Sequence, residues 1–209
     1  MIFRKKINSS KSWLQRYFKD PYIKERNRKN LRSRAWFKLK EINELEKVFK
    51  KNMNVIDLGS NPGGWSEYVR QKIGKLGIIL ACDISPMRAL DGVIFFHGDI
   101  TQTDTLKKFF LIIKKYSWNV VMSDMSPNIS GCSIVDNMNM FKLSDIVLDI
   151  SIQVLSKTGY LIIKLFQGYG FDEYISKIYD LFSLVKIYKP RSSRDNSREV
   201  YIIASRCKI

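Results

Sequence analysis

The chain predicts an α/β fold: a mostly parallel seven-stranded sheet with one antiparallel strand and helices on both faces. Three observations carry that prediction. From about residue 53 onward, short apolar runs bounded by glycine and polar turns recur in the manner of buried strands. Helical stretches separate the first five of these runs, with one short turn connection, as in a parallel sheet covered on both sides. The last two runs are joined by the loop "KPRSSRDNSR" with no helix between them, so they pair as a hairpin and turn one strand antiparallel.

The elements follow in order. Residues 1–50 form a strongly basic segment without strand-like runs. Ser9, Ser10 or Ser12 caps a short helix bearing Trp13, Leu14, Tyr17 and Phe18 that ends before Pro21. A longer helix is predicted over "NLRSRAWFKLKEINELEKVFK". Its apolar positions Leu31, Ala35, Ile42, Leu45 and Phe49 keep helical spacing only if Lys38 fills one slot of the stripe. Residues 51–209 form the sheet core, and the whole chain, 1–209, reads as a single domain. Its strands are "NVIDL", "GIILACD", "VIFFH", "WNVVMSD", "GYLIIKLF", "FSLVKIY" and "EVYIIAS", with helices over "WSEYVRQKI", "DTLKKFFLIIKK" and "MFKLSDIVLDISIQVL".

Composition narrows the partners. The 209 residues are 45% hydrophobic, which suits a globular core, and 36 Lys+Arg face 20 Asp+Glu for a formal charge of +16. A field of that sign draws polyanions or anionic membranes. No apolar stretch approaches the ~18–20 residues of a membrane span, and the N-terminus has no apolar signal region. Nucleic acid is therefore the expected polyanion. Cys82, Cys132 and Cys207 are odd in number and widely spaced, which supports neither a disulfide framework nor a zinc site. The one histidine, His97, lies on a strand and is expected to pack in the core, so a general base is to be sought among lysines and carboxylates.

The stretch "VIDLGSNPGGWSEYV" reads as strand, glycine turn and helix start, where Gly59, Gly63 and Gly64 let the backbone approach a ligand. It departs from G-x-G-x-x-G and lacks Gly-Lys-Ser/Thr, which counts against a dinucleotide and an ATP loop. Asp57, Asp83, Asp99 and Asp124 each end a successive strand. One such aspartate is a common turn former. Four together line the sheet edge where folds of this class bind ligands. Asp83 suits ribose hydroxyls and Asp99 an adenine amino group.

Lys164 stands in the buried run "LIIKLF". An isolated lysine there would reach its ammonium to solvent from the strand end. Buried without a partner, it would cost several kcal/mol. Two basic stretches, Lys24 to Arg34 and Lys189 to Arg198, are candidate phosphate contacts. Tyr22 or Trp36 could stack on a base, although Trp36 and Phe37 equally suit a core.

From "SSKSWLQRYFKDPY" through "LRSRAWFKL", "DLGSNPGGWS", "SDMSPNISG", "IKLFQG" and "SSRDNSREVYIIA", the chain resembles the RrmJ/FtsJ family of S-adenosylmethionine-dependent ribosomal RNA 2′-O-ribose methyltransferases. The resemblance implies a Rossmann-like methyltransferase fold and the catalytic tetrad Lys38, Asp124, Lys164 and Glu199, with Lys164 as proton acceptor. It also implies S-adenosylmethionine contacts at Gly63, Trp65, Asp83, Asp99 and Asp124, and no metal. Ser60 and Asn61 stand where relatives often carry alanine, and both are small enough for the turn. A lysine accepts a proton only in its neutral form, which burial and a neighbouring cation favour and neighbouring carboxylates oppose.

The family's substrate would be a uridine in large-subunit (23S) rRNA, free or in the large subunit, met by a cytoplasmic monomer with no membrane role. Relatives acting on tRNA or cap ribose share the tetrad. A catalytically silent RNA-binding assembly factor is an alternative of another class, against which an intact tetrad weighs. A nicotinamide-dependent oxidoreductase is disfavoured by the glycine pattern.

Overall fold

The computed structural model describes residues 20–208. The helix expected around Trp13 to Phe18 lies outside them. Helix α1 (Pro21–Arg28) starts with proline in its first turn, and Asp20 caps it by accepting from the Tyr22 N–H at 2.9 Å. Helix α2 (Ala35–Glu46) is shorter than predicted. Asn30 adopts φ 52°, outside helical geometry, and Lys47 closes the C-terminus in the left-handed region. Leu31 and Phe49 therefore lie beyond the helix, and Leu45 is exposed.

All seven predicted strands form: β1 (Val55–Leu58), β2 (Ile79–Asp83), β3 (Val93–His97), β4 (Trp118–Ser123), β5 (Leu155–Phe166), β6 (Phe182–Tyr188) and β7 (Glu199–Cys207). They pair in the order β3-β2-β1-β4-β5-β7-β6. Strand β7 runs antiparallel to both β5 and β6 and is the antiparallel member, as the hairpin loop requires. Helices α3 (Gly64–Ile73), α4 (Thr103–Ile113), α5 (Ser133–Val154) and α6 (Phe171–Leu181) complete the described elements.

Two of these helices differ from expectation. Helix α5 begins at Ser133, seven residues earlier than the apolar pattern, and takes in the whole of "SIVDN". Helix α6 was not predicted, yet Phe171, Tyr174, Ile175 and Ile178 bury one face at helical spacing.

Each sheet face has its own apolar layer. One layer holds Phe109 and Ile113 of α4, Val147 and Ile150 of α5, and Ile178 of α6 against Ile56, Val121 and Ile163. The other holds Leu39 and Ile42 of α2 and Trp65, Val69 and Ile73 of α3 against Val55, Val120 and Tyr201. Strand β1 is buried at every position, as a central parallel strand should be. Chain direction from β1 diverges to β2 on one side and β4 on the other, and the crevice at the carboxyl ends beside that switch point is where such sheets hold ligands.

Candidate functional site

A cleft of about 430 Å³ lies along those carboxyl ends. Each strand feeds it through the loop that follows: Gly59 and Asn61 after β1, Asp83 to Ser85 at the end of β2, Gly98 to Thr101 after β3, and Asp124 to Asn128 after β4. The glycine turn is tight. Gly59 has φ +75°, and a Cβ there would stand 2.6 Å from the Met125 side chain, so no other residue fits without displacing the β4 loop.

The acids at the strand ends are differently employed. Asp83 Oδ2 accepts from the Asn61 N–H at 2.9 Å and Oδ1 from the Ser85 N–H at 2.7 Å, which fixes the carboxylate at the cleft wall. Asp99 accepts from the Thr101 N–H and hydroxyl, and these bonds hold its carboxyl below the usual range. Asp57 does not reach the cleft. It is fully buried beneath the turn, where Ser66 donates to Oδ2 at 2.6 Å and Oδ1 has no hydrogen-bond partner among the described residues. Burial pushes its carboxyl up to about 7, with the Ser66 bond opposing and Asp124 and Asp83 adding to the rise.

Gly63 and Trp65 do not line the cleft. The Trp65 ring is buried against Tyr201, and its indole N–H donates to the Ala35 carbonyl at 3.0 Å. What the first turn of α3 offers a ligand is backbone N–H groups, since Gly63 caps it with no side-chain hydrogen bond. His97 departs from its expected core position: it is exposed on the edge strand β3, stacked on Phe95, with Nε2 3.0 Å from the Ile84 carbonyl oxygen.

The four residues of the expected tetrad come together where β4, β5 and β7 adjoin, and of them only Asp124 lines the cleft. Lys38 and Lys164 are 8% and 6% exposed, so neither ammonium reaches out to solvent. Lys38 Nζ pairs with Glu199 Oε1 at 2.6 Å, and Lys164 Nζ with Asp124 Oδ1 at 3.1 Å. Lys164 also donates to the Asp124 carbonyl at 2.6 Å, which ties β5 to the loop after β4.

Antiparallel register accounts for the geometry. Lys164 stands opposite Tyr201, and Glu199 lies two residues away on the same face. That is the face on which α2 packs and carries Lys38. Burial alone would raise the Asp124 carboxyl, but Lys164, Lys38 and the Tyr201 hydroxyl hold it below the usual range.

Tyr201 is not among the site residues expected from the sequence. Its hydroxyl donates to Asp124 Oδ1 at 2.8 Å and accepts from Lys38 Nζ at 3.1 Å. Burial, then Asp124 and Glu199, push its phenol well above the ordinary value, so it stays a neutral donor. Its signal in the sequence is its position two residues after Glu199 in a strand.

The basic stretches divide into two kinds. Arg32 donates to the carbonyls of Pro62, Arg88 and Ala89, bracing the glycine turn. Arg34 pairs with Asp20 at 3.1 Å and donates to the Ser192 carbonyl. These two arginines are thus used within the fold, whereas Arg191 and Arg194 are exposed in the loop before Glu199. Trp36 and Phe37 are core residues, and Tyr22 packs its ring 5.3 Å from Phe37. Among the described residues no group of three or more His, Cys, Asp and Glu could hold a metal ion, and no helix is long and apolar enough to cross a membrane.

A family model described as FtsJ-like methyltransferase matches residues 31–207. A protein of Buchnera aphidicola subsp. Cinara cedri named ribosomal RNA large subunit methyltransferase E is 70% identical over 208 residues, covering all of both chains. Its namesake from Blochmanniella pennsylvanica is 46% identical over the full length of both. A crystal structure of a Plasmodium falciparum protein described as a ribosomal RNA methyltransferase superposes with a TM-score of 0.73. That protein is 25% identical, and the match covers 84% of this chain and 98% of that one.

Proposed function

The chain belongs to the FtsJ-like methyltransferase family, and on that premise we propose that it methylates the ribose 2′-hydroxyl of a uridine in large-subunit (23S) rRNA with S-adenosylmethionine as donor. The observation that carries the reading is the pair of buried lysine–carboxylate contacts joined through Tyr201, with Asp124 at the cleft wall.

The cleft residues fit the donor. Asp83 and Asp99 are already oriented by backbone N–H groups and keep lone pairs for ribose hydroxyls and an adenine amino group. The N–H groups at the start of α3, including that of Trp65, suit the donor's carboxylate, because a helix N-terminus favours an anion. When bound, S-adenosylmethionine supplies an electrophilic methyl group on a sulfonium, which needs no further activation.

The remaining requirement is a deprotonated, aligned ribose oxygen. Lys164 is the proposed proton acceptor at the 2′-hydroxyl, held by Asp124 through both its carboxylate and its carbonyl. Lys38, paired with Glu199, places a second cation near the oxygen as negative charge develops there. The whole chain serves as one catalytic domain acting as a cytoplasmic monomer. Exposed cations such as Arg191 and Arg194 draw the RNA backbone toward Glu199.

The test is transfer of a tritiated methyl from S-adenosylmethionine onto unmethylated large subunits and onto free 23S rRNA, followed by mapping of 2′-O-methylation. Label on a single ribose 2′-oxygen is the expected result. Label on a base, or none, would overturn the reading.

A further inference from the structure

One rim of the cleft, formed by the loop after β4, the start of α5 and the loop after β5, is apolar and free of exposed acidic side chains. Ile129, Ile134, Val135, Met138 and Tyr169 are all exposed, Ile129 by 63% and Tyr169 by 67%. Between Asp124 and Lys142 the sequence holds a single charged side chain, Asp136, and that one is buried. In a chain with 27% charged residues this is an unusual surface, and exposed apolar patches beside a cleft mark interaction sites.

The patch is held in place. Ser130 donates from its N–H and its hydroxyl to Asp136 Oδ1, at 2.7 and 2.8 Å, which fixes Ile129 against α5. Ile134 and Met138 stand one helical turn apart, with Val135 beside them. Asn137, fully buried, donates to the carbonyls of Phe166 and Tyr169 at 3.3 and 3.0 Å, which fixes Tyr169 beside the same helix start. Arg198 donates to Asn137 Oδ1 at 3.1 Å and lies over the Phe166 ring, so the patch ends next to Glu199.

The patch is also continuous with the site. Ser126, Pro127 and Asn128 line the cleft, and Ile129 is the next residue. Two residues separate Lys164 from Gln167, where the Tyr169 loop begins. Cations of the other kind, Arg191 and Arg194, sit in the loop that leads into Glu199 from the opposite direction. A single RNA strand has matching edges: a polyanionic backbone and flat bases that stack on aromatic and apolar side chains.

We propose that this rim is a nucleobase platform, on which Tyr169, Ile129 and Met138 receive unpaired bases flanking the target nucleotide while the backbone faces the cations. The proposal rests on the RNA ribose methyltransferase reading above.

The experiment uses the full chain, unmethylated large subunits, a short unmethylated stem-loop transcript of large-subunit rRNA, and the same transcript made abasic on either side of the target nucleotide. The variants are Ile129→Ser, Met138→Ser and Tyr169→Ala, singly and combined. Their side chains are exposed, so the folds should hold, and melting temperature is the control.

The combined variant should bind the transcript about tenfold more weakly, with the slope of log affinity against log salt unchanged, because stacked bases release no counterions. Cofactor affinity and single-turnover rate at saturating RNA should match the parent. Parent and variant should bind the abasic transcript equally. Equal binding of the intact transcript, or an altered salt slope, would overturn the proposal. So would a loss confined to assembled subunits, which would assign the patch to a protein partner. A parent that labels no RNA fails the functional reading and this inference with it; a parent that labels RNA with variants unaffected fails this inference alone.

Discussion

The hydroxyl of Tyr201 stands 2.8 Å from Oδ1 of Asp124 and 3.1 Å from Nζ of Lys38. One phenol thereby joins two ion pairs, Lys164–Asp124 and Lys38–Glu199, into a single network. Tyr201→Phe keeps the ring, which packs against Trp65, and removes only this bridge. A hydrogen bond to a buried carboxylate contributes ~1.5–3 kcal/mol, so methyl transfer should fall by roughly ten- to a hundredfold while cofactor affinity is unchanged. Single-turnover rates at saturating cofactor and RNA check this. A variant at parental rate would show that the two pairs act independently.

Lys164 is the proposed proton acceptor. Lys164→Ala should lower the transfer rate by at least ~10²-fold, the scale of a positioned general base. Lys164→Arg should fail almost as badly, because a guanidinium stays protonated. Calorimetric titration should find S-adenosylmethionine binding preserved in both. Near-parental rates in the arginine variant would reduce Lys164 to a fixed positive charge.

Asp83 is tied by both carboxylate oxygens to backbone N–H groups of the cleft wall. Asp83→Ala should weaken S-adenosylmethionine by roughly 1–3 kcal/mol, through loss of a charged acceptor. Asp83→Asn should recover part of that loss, since an amide oxygen still accepts from a ribose hydroxyl. Calorimetry on the folded variants decides it, and unchanged affinity in the alanine variant would leave Asp83 as a turn former.

RNA affinity should fall steeply with salt, with a log–log slope of about −0.7 to −0.9 for each phosphate contact. Arg191 and Arg194 are exposed, and neutralising both should flatten that slope without altering cofactor binding. Arg32 should behave differently. It braces the glycine turn through the Pro62 carbonyl, so Arg32→Ala should weaken the cofactor as well. Anisotropy titrations across salt concentrations, paired with cofactor calorimetry, separate the two cases.

Asp57 supplies a pH signature. Its buried carboxyl titrates at about 7 rather than near 3.8. Between those values the folded protein holds a proton that the unfolded chain has released, so this group's contribution to stability falls as pH rises through that window and levels off above it. Asp57→Asn is uncharged throughout and can keep the Ser66 bond. It should be more stable than the parent at pH 8 by up to a few kcal/mol, with the advantage shrinking toward pH 4. Urea midpoints of the ligand-free proteins across that range measure it. A difference independent of pH would place the Asp57 titration elsewhere.

The sheet, its one antiparallel strand and three of the four acids expected at its edge, Asp83, Asp99 and Asp124, were legible in the sequence because they follow from local pattern, whereas Asp57 lies inside its strand and is buried beneath the turn. Apolar runs with glycine turns place strands, helices between them force parallel crossovers, and the residue that ends each such strand must lie at one edge. A lysine inside an apolar run is likewise visible as a residue that needs a partner. The shortfalls are also local in origin. The sequence pattern starts the helix at Met140 rather than Ser133 because its true start is held by Ser130 donating to Asp136 and by Asn137 donating to the loop after β5. The outer turns of the long predicted helix have apolar spacing, but Asn30 and Lys47 adopt left-handed backbone.

Tertiary structure alone decided which lysine faces which acid, that Tyr201 joins the two pairs, that Trp65 turns its ring into the core, and that Arg32 and Arg34 serve the fold. Those outcomes depend on strand register and on which face of the sheet α2 covers. Both are set by contacts between residues far apart in the chain, for which the local pattern carries no information.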